Sequence, residues 1–187
     1  WQKDGVLRLQ GSEGKAFSVN FTCRVDRVDM LKEASTFERM RIIDYKTGSD
    51  EIHAPGIDAM LHDYKCKAFA QVMLYSQAYA QFLPYSGPIQ PMVYSMRKLM
   101  VQPVSPLTTG QQPTSEQIEH EEFKSPDKGS KRWKILDYRD YLTEFNDALI
   151  PYLEELFNPE VPFVCADDDA ACTYCEFKEI CQRHLKK

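Results

Sequence analysis

Ile42-Ile43-Asp44-Tyr45-Lys46-Thr47-Gly48 is the stretch on which the reading turns, together with Arg24-Val25-Asp26-Arg27-Val28-Asp29, whose Asp26 lies 18 positions before Asp44. The β-branched pair Ile42-Ile43 marks a strand, and Thr47-Gly48-Ser49-Asp50 breaks it. Side chains of a strand alternate between faces, so Asp44 and Lys46 point the same way and bring a carboxylate and an ammonium to one spot. Asp26 sits near the end of an earlier strand-like run, residues 17–28, in which Phe17, Val19 and Phe21 mark one buried face. If the two strands pair, both acids converge on one hard cation. Oxygen donors of this kind, with the Tyr45 carbonyl as a natural further ligand, suit Mg²⁺ or Mn²⁺.

Two further segments follow in order. Gln71-Val72-Met73-Leu74-Tyr75 falls in the most helix-like part of the chain, so Gln71 and Tyr75, four apart, lie on one helix face. Near the far end, Cys172-Thr173-Tyr174-Cys175 is followed by Cys181, giving C-x2-C-x5-C. D-x-K by itself is met by chance in many proteins, where it is a surface ion pair at a strand end. Four segments in a fixed order weigh against that reading.

Taken together they resemble the PD-(D/E)XK nuclease superfamily, and within it the RecB/AddB-like branch. There an Asp in a first strand precedes a D-Y-K strand, a Q-x-x-x-Y helix and a closing iron–sulfur cysteine motif. The first strand departs from the branch pattern at Cys23 and Arg24. The resemblance implies an α/β, restriction-endonuclease-like fold, a mixed central sheet flanked by helices with a Cys-containing C-terminal tail. It implies Mg²⁺- or Mn²⁺-dependent hydrolysis of DNA phosphodiesters by the exonuclease-type domain of a DNA repair or recombination helicase–nuclease. The partners are then DNA and a motor region of the same polypeptide or of another subunit. Asp26, Asp44, Lys46, Gln71 and Tyr75 would be catalytic, with Asp26, Asp44 and the Tyr45 carbonyl holding the metal. Lys46 would orient the attacking water and stabilise developing charge. Cys172, Cys175 and Cys181 would ligate a [4Fe–4S] cluster in the full-length protein. Zinc is the alternative, with His184 nearby, and plain thiols in a helical tail are another. Cys165 is the only nearby substitute for a fourth thiolate.

The remaining features set bounds. A length of 187 residues, with 43% hydrophobic and 27% charged residues, fits one soluble globular domain over 1–187, and there is no apolar run of membrane-spanning length. The start at Trp1, without Met or a secretory pattern, reads as an N-terminally truncated piece of a larger protein. Many members of the branch carry a further His or Glu upstream of the first strand, so the piece alone is expected to cleave poorly. Net charge −5 argues against bulk electrostatic coating of nucleic acid but leaves room for a local basic groove. Six cysteines without a secretory signal point to a reducing compartment, the cytoplasm.

Along the chain, 6–10 and 17–28 read as a hairpin, 30–41 as a connection and 62–83 as a largely buried helix ended by Pro84. A strand follows over 90–99, its start or an edge set by Pro91. Residues 101–131 read as a long loop or insertion, 133–136 as a strand resuming the sheet, 137–157 as a helix, and 160–187 as the Cys-rich tail. Lys67, Arg132, Trp133 and Lys134 are candidate DNA contacts, Trp133 offering a stacking face, and Arg97-Lys98 is a second basic pair. Solvated lysines around a core Trp are the plainer account of that patch. His53, His62 and His120 have no partner spacing. The different-class alternative is a non-catalytic DNA-binding or scaffolding module of the same fold. A metal-cluster redox sensor leaves the carboxylates unexplained.

Overall fold

The structure, a computed structural model, describes residues 2–10, 14–33, 37–48, 51–83, 85–100, 104–112, 122–124, 131–164, 172–173 and 175–181. It is mixed α/β. Strands β1 (Gln2–Gln10) and β2 (Ala16–Arg24) form an antiparallel ribbon. The main sheet has the order β3-β4-β6-β7, built from β3 (Arg27–Glu33), β4 (Phe37–Lys46), β6 (Ile89–Ser95) and β7 (Val104–Pro106). A second small sheet has the order β5-β8-β10-β9, from β5 (His53–Ala54), β8 (Thr108–Thr109), β9 (Glu122–Lys124) and β10 (Lys131–Lys134). Helices are α1 (Ala59–His62), α2 (Lys67–Phe82) and α3 (Leu142–Leu156). Among the described residues no helix is long and apolar enough to cross a membrane.

α2 forms where Gly and Pro are absent, and it ends at Leu83, which is extended as residues before a proline tend to be. It packs on β1, β2, β4 and β6. Phe69, Val72, Met73 and Tyr79 meet Ile42, Met40, Ile89 and Val93 in one core. Gln81 clamps the ribbon as a strand would: its Oε1 accepts from Val6 N at 3.0 Å and its Nε2 donates to Val6 O at 3.2 Å. Arg139 donates to the carbonyls of Tyr85, Ser86 and Gly87, and Asp137 Oδ1 accepts from Ile89 N, which fixes the entry to β6.

Five expectations change. The run 17–28 is two strands broken at Val25–Asp26, and much of 30–41 is not a connection but a β3–β4 hairpin. Pro91 lies inside an interior strand. It sits beyond the end of β7, where Leu107 N donates to its carbonyl, so its missing N–H costs no rung of the β6–β7 ladder. Within 101–131 the described residues include β7, β8 and β9. Strand β10 joins the second sheet and not the main one.

Gly110 closes the joint between β8 and β5, its N–H donating to Ala54 O at 3.0 Å. A Cβ there would overlap the Pro55 carbonyl oxygen, a backbone atom that cannot rotate away. Gly110→Ala is therefore expected to destabilise the fold by about 1–3 kcal/mol, read from urea midpoints. An unchanged midpoint would show that this joint yields.

Candidate active site

In the β3–β4 hairpin Arg27 faces Ile43 and Asp29 faces Arg41, and continuing that register by one residue sets Asp26 across from Asp44. The chain breaks between β2 and β3 there, and Asp26 Oδ2 accepts from Tyr45 N at 2.7 Å. Asp44 is 4% exposed. Its Oδ2 lies 2.7 Å from Lys46 Nζ, which donates to Gln71 Oε1 at 2.6 Å. The ammonium fixes which end of the Gln71 amide faces it, so Nε2 turns to the Tyr75 hydroxyl and donates to it. Burial pushes the Tyr75 phenol above its ordinary value, Gln71 acting against this and the Asp44 charge with it, so the hydroxyl stays protonated at neutral pH.

Asp44, Lys46, Gln71 and Tyr75 thus form one chain from strand to helix, an ion pair followed by two hydrogen bonds, with Asp26 bonded at the intervening residue. An ammonium has three donors, and one of those on Lys46 goes to Gln71 while the Asp44 carboxylate pairs with its charge. Gln71→Leu removes an acceptor from Lys46 and the donor to Tyr75 without touching Asp44. Cleavage by the full-length protein is expected to fall by roughly 10–100-fold, as for other lost orienting partners, with the circular dichroism spectrum unchanged. Activity within twofold of wild type would reduce Gln71 to a packing residue.

Lys46 lines a cleft of about 300 Å³ with Gly48, Glu51, Ile52, Val93, Ser95, Arg97, Lys98 and Ser105. Four of these residues, Glu51, Ile52, Lys98 and Ser105, also line a second hollow of about 420 Å³. His53, Pro106, Thr108, Arg132 and Lys134 complete it. The two make a continuous groove with five basic side chains and one acidic one, on a chain of net charge −5. His53 Nδ1 lies 3.1 Å from Thr108 Oγ1, and burial together with the nearby Arg132 charge lowers its pKa, leaving it neutral at pH 7.

The candidate DNA contacts divide. Arg132 and Lys134 line the groove, whereas Trp133, between them on a strand, faces the other way and is half-buried. Lys67 is exposed at the start of α2 and lines neither hollow. Glu51, His53, Ser95, Ser105 and Thr108 carry no spacing signal; the pairing of β8 with β5 brings His53 to Thr108, and that of β6 with β7 brings Ser95 and Ser105 to the same end of the main sheet.

In the tail, Cys172 and Cys175 are half-buried and Cys181 is exposed, with Cys175 N donating to Cys172 O and Cys181 N to Phe177 O. Among the described residues no three of His, Cys, Asp or Glu converge as a metal-holding group. Cys165, His184, His120 and Lys128 lie outside the described residues.

A family model, that of the PD-(D/E)XK nuclease superfamily, matches residues 1–182. The chain belongs to that superfamily. No curated protein matches it. Membership in PD-(D/E)XK implies metal-dependent nuclease activity on DNA, and the sheets flanked by helices are those of a restriction-endonuclease-like fold. The donors present in this PD-(D/E)XK chain fit a hard divalent cation. Asp26 and Asp44 supply carboxylates and Tyr45 a carbonyl, all oxygen, all at the break between β2 and β3 and the end of β4. The described tail cysteines, by contrast, do not assemble a ligand set for a cluster, and no chemistry is assigned to one.

Proposed function

We propose that this chain is a RecB/AddB-like nuclease domain, one domain over its length, which hydrolyses DNA phosphodiesters as the exonuclease of a repair or recombination helicase–nuclease in the cytoplasm. The observation that carries the reading is the Asp44–Lys46–Gln71–Tyr75 chain beside Asp26, opening on a basic groove in an otherwise acidic protein. Asp26, Asp44 and the Tyr45 carbonyl would hold Mg²⁺ or Mn²⁺, which would supply Lewis-acid stabilisation of the phosphoryl oxygens and a more acidic water. Lys46 offers an N–H to the phosphate, stabilising charge that develops as the bond breaks. Gln71 and Tyr75 fix where that ammonium stands. The C-x2-C-x5-C spacing of the tail is the sequence feature behind a [4Fe–4S] cluster, or zinc, in the full-length protein. The helicase context rests on the D-Y-K, Q-x-x-x-Y and tail motifs in their order.

Arg97, Lys98, Arg132 and Lys134 carry the backbone of the DNA strand along the groove. Phosphate contacts of this kind weaken uniformly when a charge is lost. Arg132→Glu and Lys98→Glu should each weaken DNA binding at low salt regardless of sequence, with the salt slope falling by about one. Binding by fluorescence anisotropy in EDTA and in Mn²⁺, beside cleavage by the full-length protein, tests the whole reading. Cation-strengthened binding with cleavage is the expected result. Tight binding in EDTA with no cleavage under Mn²⁺ would instead make this a DNA-binding module of the same fold.

A further inference from the structure

Tyr45 stands between Asp44 and Lys46, and strand alternation turns its ring to the opposite face of the main sheet. There it meets Tyr94, its register partner on β6, with ring centroids 5.1 Å apart and planes tilted by 58°. The Arg27 guanidinium, which Asp29 Oδ1 holds at 2.7 Å, lies near the Tyr45 hydroxyl. The Tyr45 amide is tied to Asp26. The ring is thus backed by Tyr94 on a backbone pinned to Asp26, yet 45% of the residue remains exposed. The other exposed aromatic residues among those described, Phe82, Tyr152, Phe157, Phe163 and Phe177, lie at the end of α2, on α3 or beyond it.

A core-packing role alone would leave less of the ring in water. A surface β-propensity role would not need a second aromatic ring behind it. An aromatic already ordered before contact loses little entropy when something stacks on it. β4 ends at Lys46, and the exposed Thr47 and Gly48 beyond it raise no wall between the two faces.

We propose that Tyr45, backed by Tyr94, is a stacking shelf for the nucleobase beside the scissile phosphate. The DNA strand crosses the end of β4 with its phosphate on the Asp44–Lys46 side and that base on the tyrosine side. Arg27 lies within reach of the next phosphate. Stacking on an aromatic tolerates any base, since every base has a π-face, so the shelf sets position along the strand and not sequence. The inference rests on the nuclease reading of the site.

The test uses DNA oligonucleotides carrying a single 2-aminopurine at successive positions, bound in Ca²⁺ so that they are held uncut, with cleavage by the full-length protein followed separately in Mg²⁺. Quenching is expected at one position, retained in Tyr45→Phe, reduced in Tyr94→Leu and lost in Tyr45→Leu. For Tyr45→Leu, KM should rise about tenfold, a larger change than in kcat. Tyr152→Leu, on the distant α3, should behave as wild type. If the wild type cleaves but Tyr45→Leu quenches and cleaves as it does, the shelf is overturned and the nuclease reading stands. If the wild type neither quenches at any position nor cleaves, the nuclease reading falls and the shelf with it.

Discussion

Asp44→Asn should lower Mg²⁺-dependent DNA cleavage by the full-length protein by at least about a thousandfold. Metal stabilisation of the transition state is worth several kcal/mol, and each 1.36 kcal/mol is tenfold in rate. The substitution keeps the shape of the side chain and an oxygen for the Lys46 ammonium, so the buried network that joins β4 to α2 is retained. What it removes is the negative charge that a hard cation needs. Calorimetric Mn²⁺ titration of this chain separates the causes: saturable binding in the wild type should vanish in Asp44→Asn, while urea unfolding shows a native fold. Undiminished cleavage by Asp44→Asn would sink the assignment of this site. Asp44→Ala is a harsher variant, because deleting one partner of a buried pair strands the other and costs about 3–5 kcal/mol of stability in addition.

Phe69→Ala should cost about 3–5 kcal/mol, the range for a fully buried aromatic truncated to alanine. Phe69 is wholly buried where α2 meets β4 and β6, among Ile42, Ile89 and Val93. That loss is a large part of the roughly 5–15 kcal/mol that holds a domain folded, so the urea midpoint should fall steeply. The same helix carries Gln71 and Tyr75, so cleavage should drop with stability although Phe69 has no place in the chemistry. Cooling or a stabilising osmolyte should then restore activity in Phe69→Ala but not in Asp44→Asn. A destabilisation below about 1 kcal/mol would mean that the core around α2 relaxes to fill the void.

The legibility of the site in the sequence follows from short-range geometry. Asp44 and Lys46 are two apart on a strand and Gln71 and Tyr75 four apart on a helix, so local periodicity alone puts each pair on one face. That Lys46 meets Gln71 is a long-range fact, carried by the packing of α2 on β4. The hairpin over β3 and β4 is hidden because residues 30–41 mix charged side chains such as Lys32, Glu33, Glu38 and Arg39 with the apolar ones and so read as connection. Strands of two to four residues leave no period to detect, and the pairings of β8 with β5 and β10 span some 25 to 55 positions, so the second sheet and the far half of the groove do not show in the sequence. Pro91 was misread for a related reason. A proline marks an edge only if its missing N–H was needed, and that depends on where β7 ends.

The break at Val25–Asp26 has a mechanical meaning. Asp26 belongs to the covalent link between the β1–β2 ribbon and the main sheet, while Asp44 belongs to the sheet itself. A cation shared by the two would rivet one layer to the other, and any swing of the ribbon would have to tear the rivet out. Such a molecule melts later as free Mn²⁺ rises above its dissociation constant, gaining about 2.7 kcal/mol at a hundredfold excess. It also lets go of its cation and loosens its ribbon in a single event.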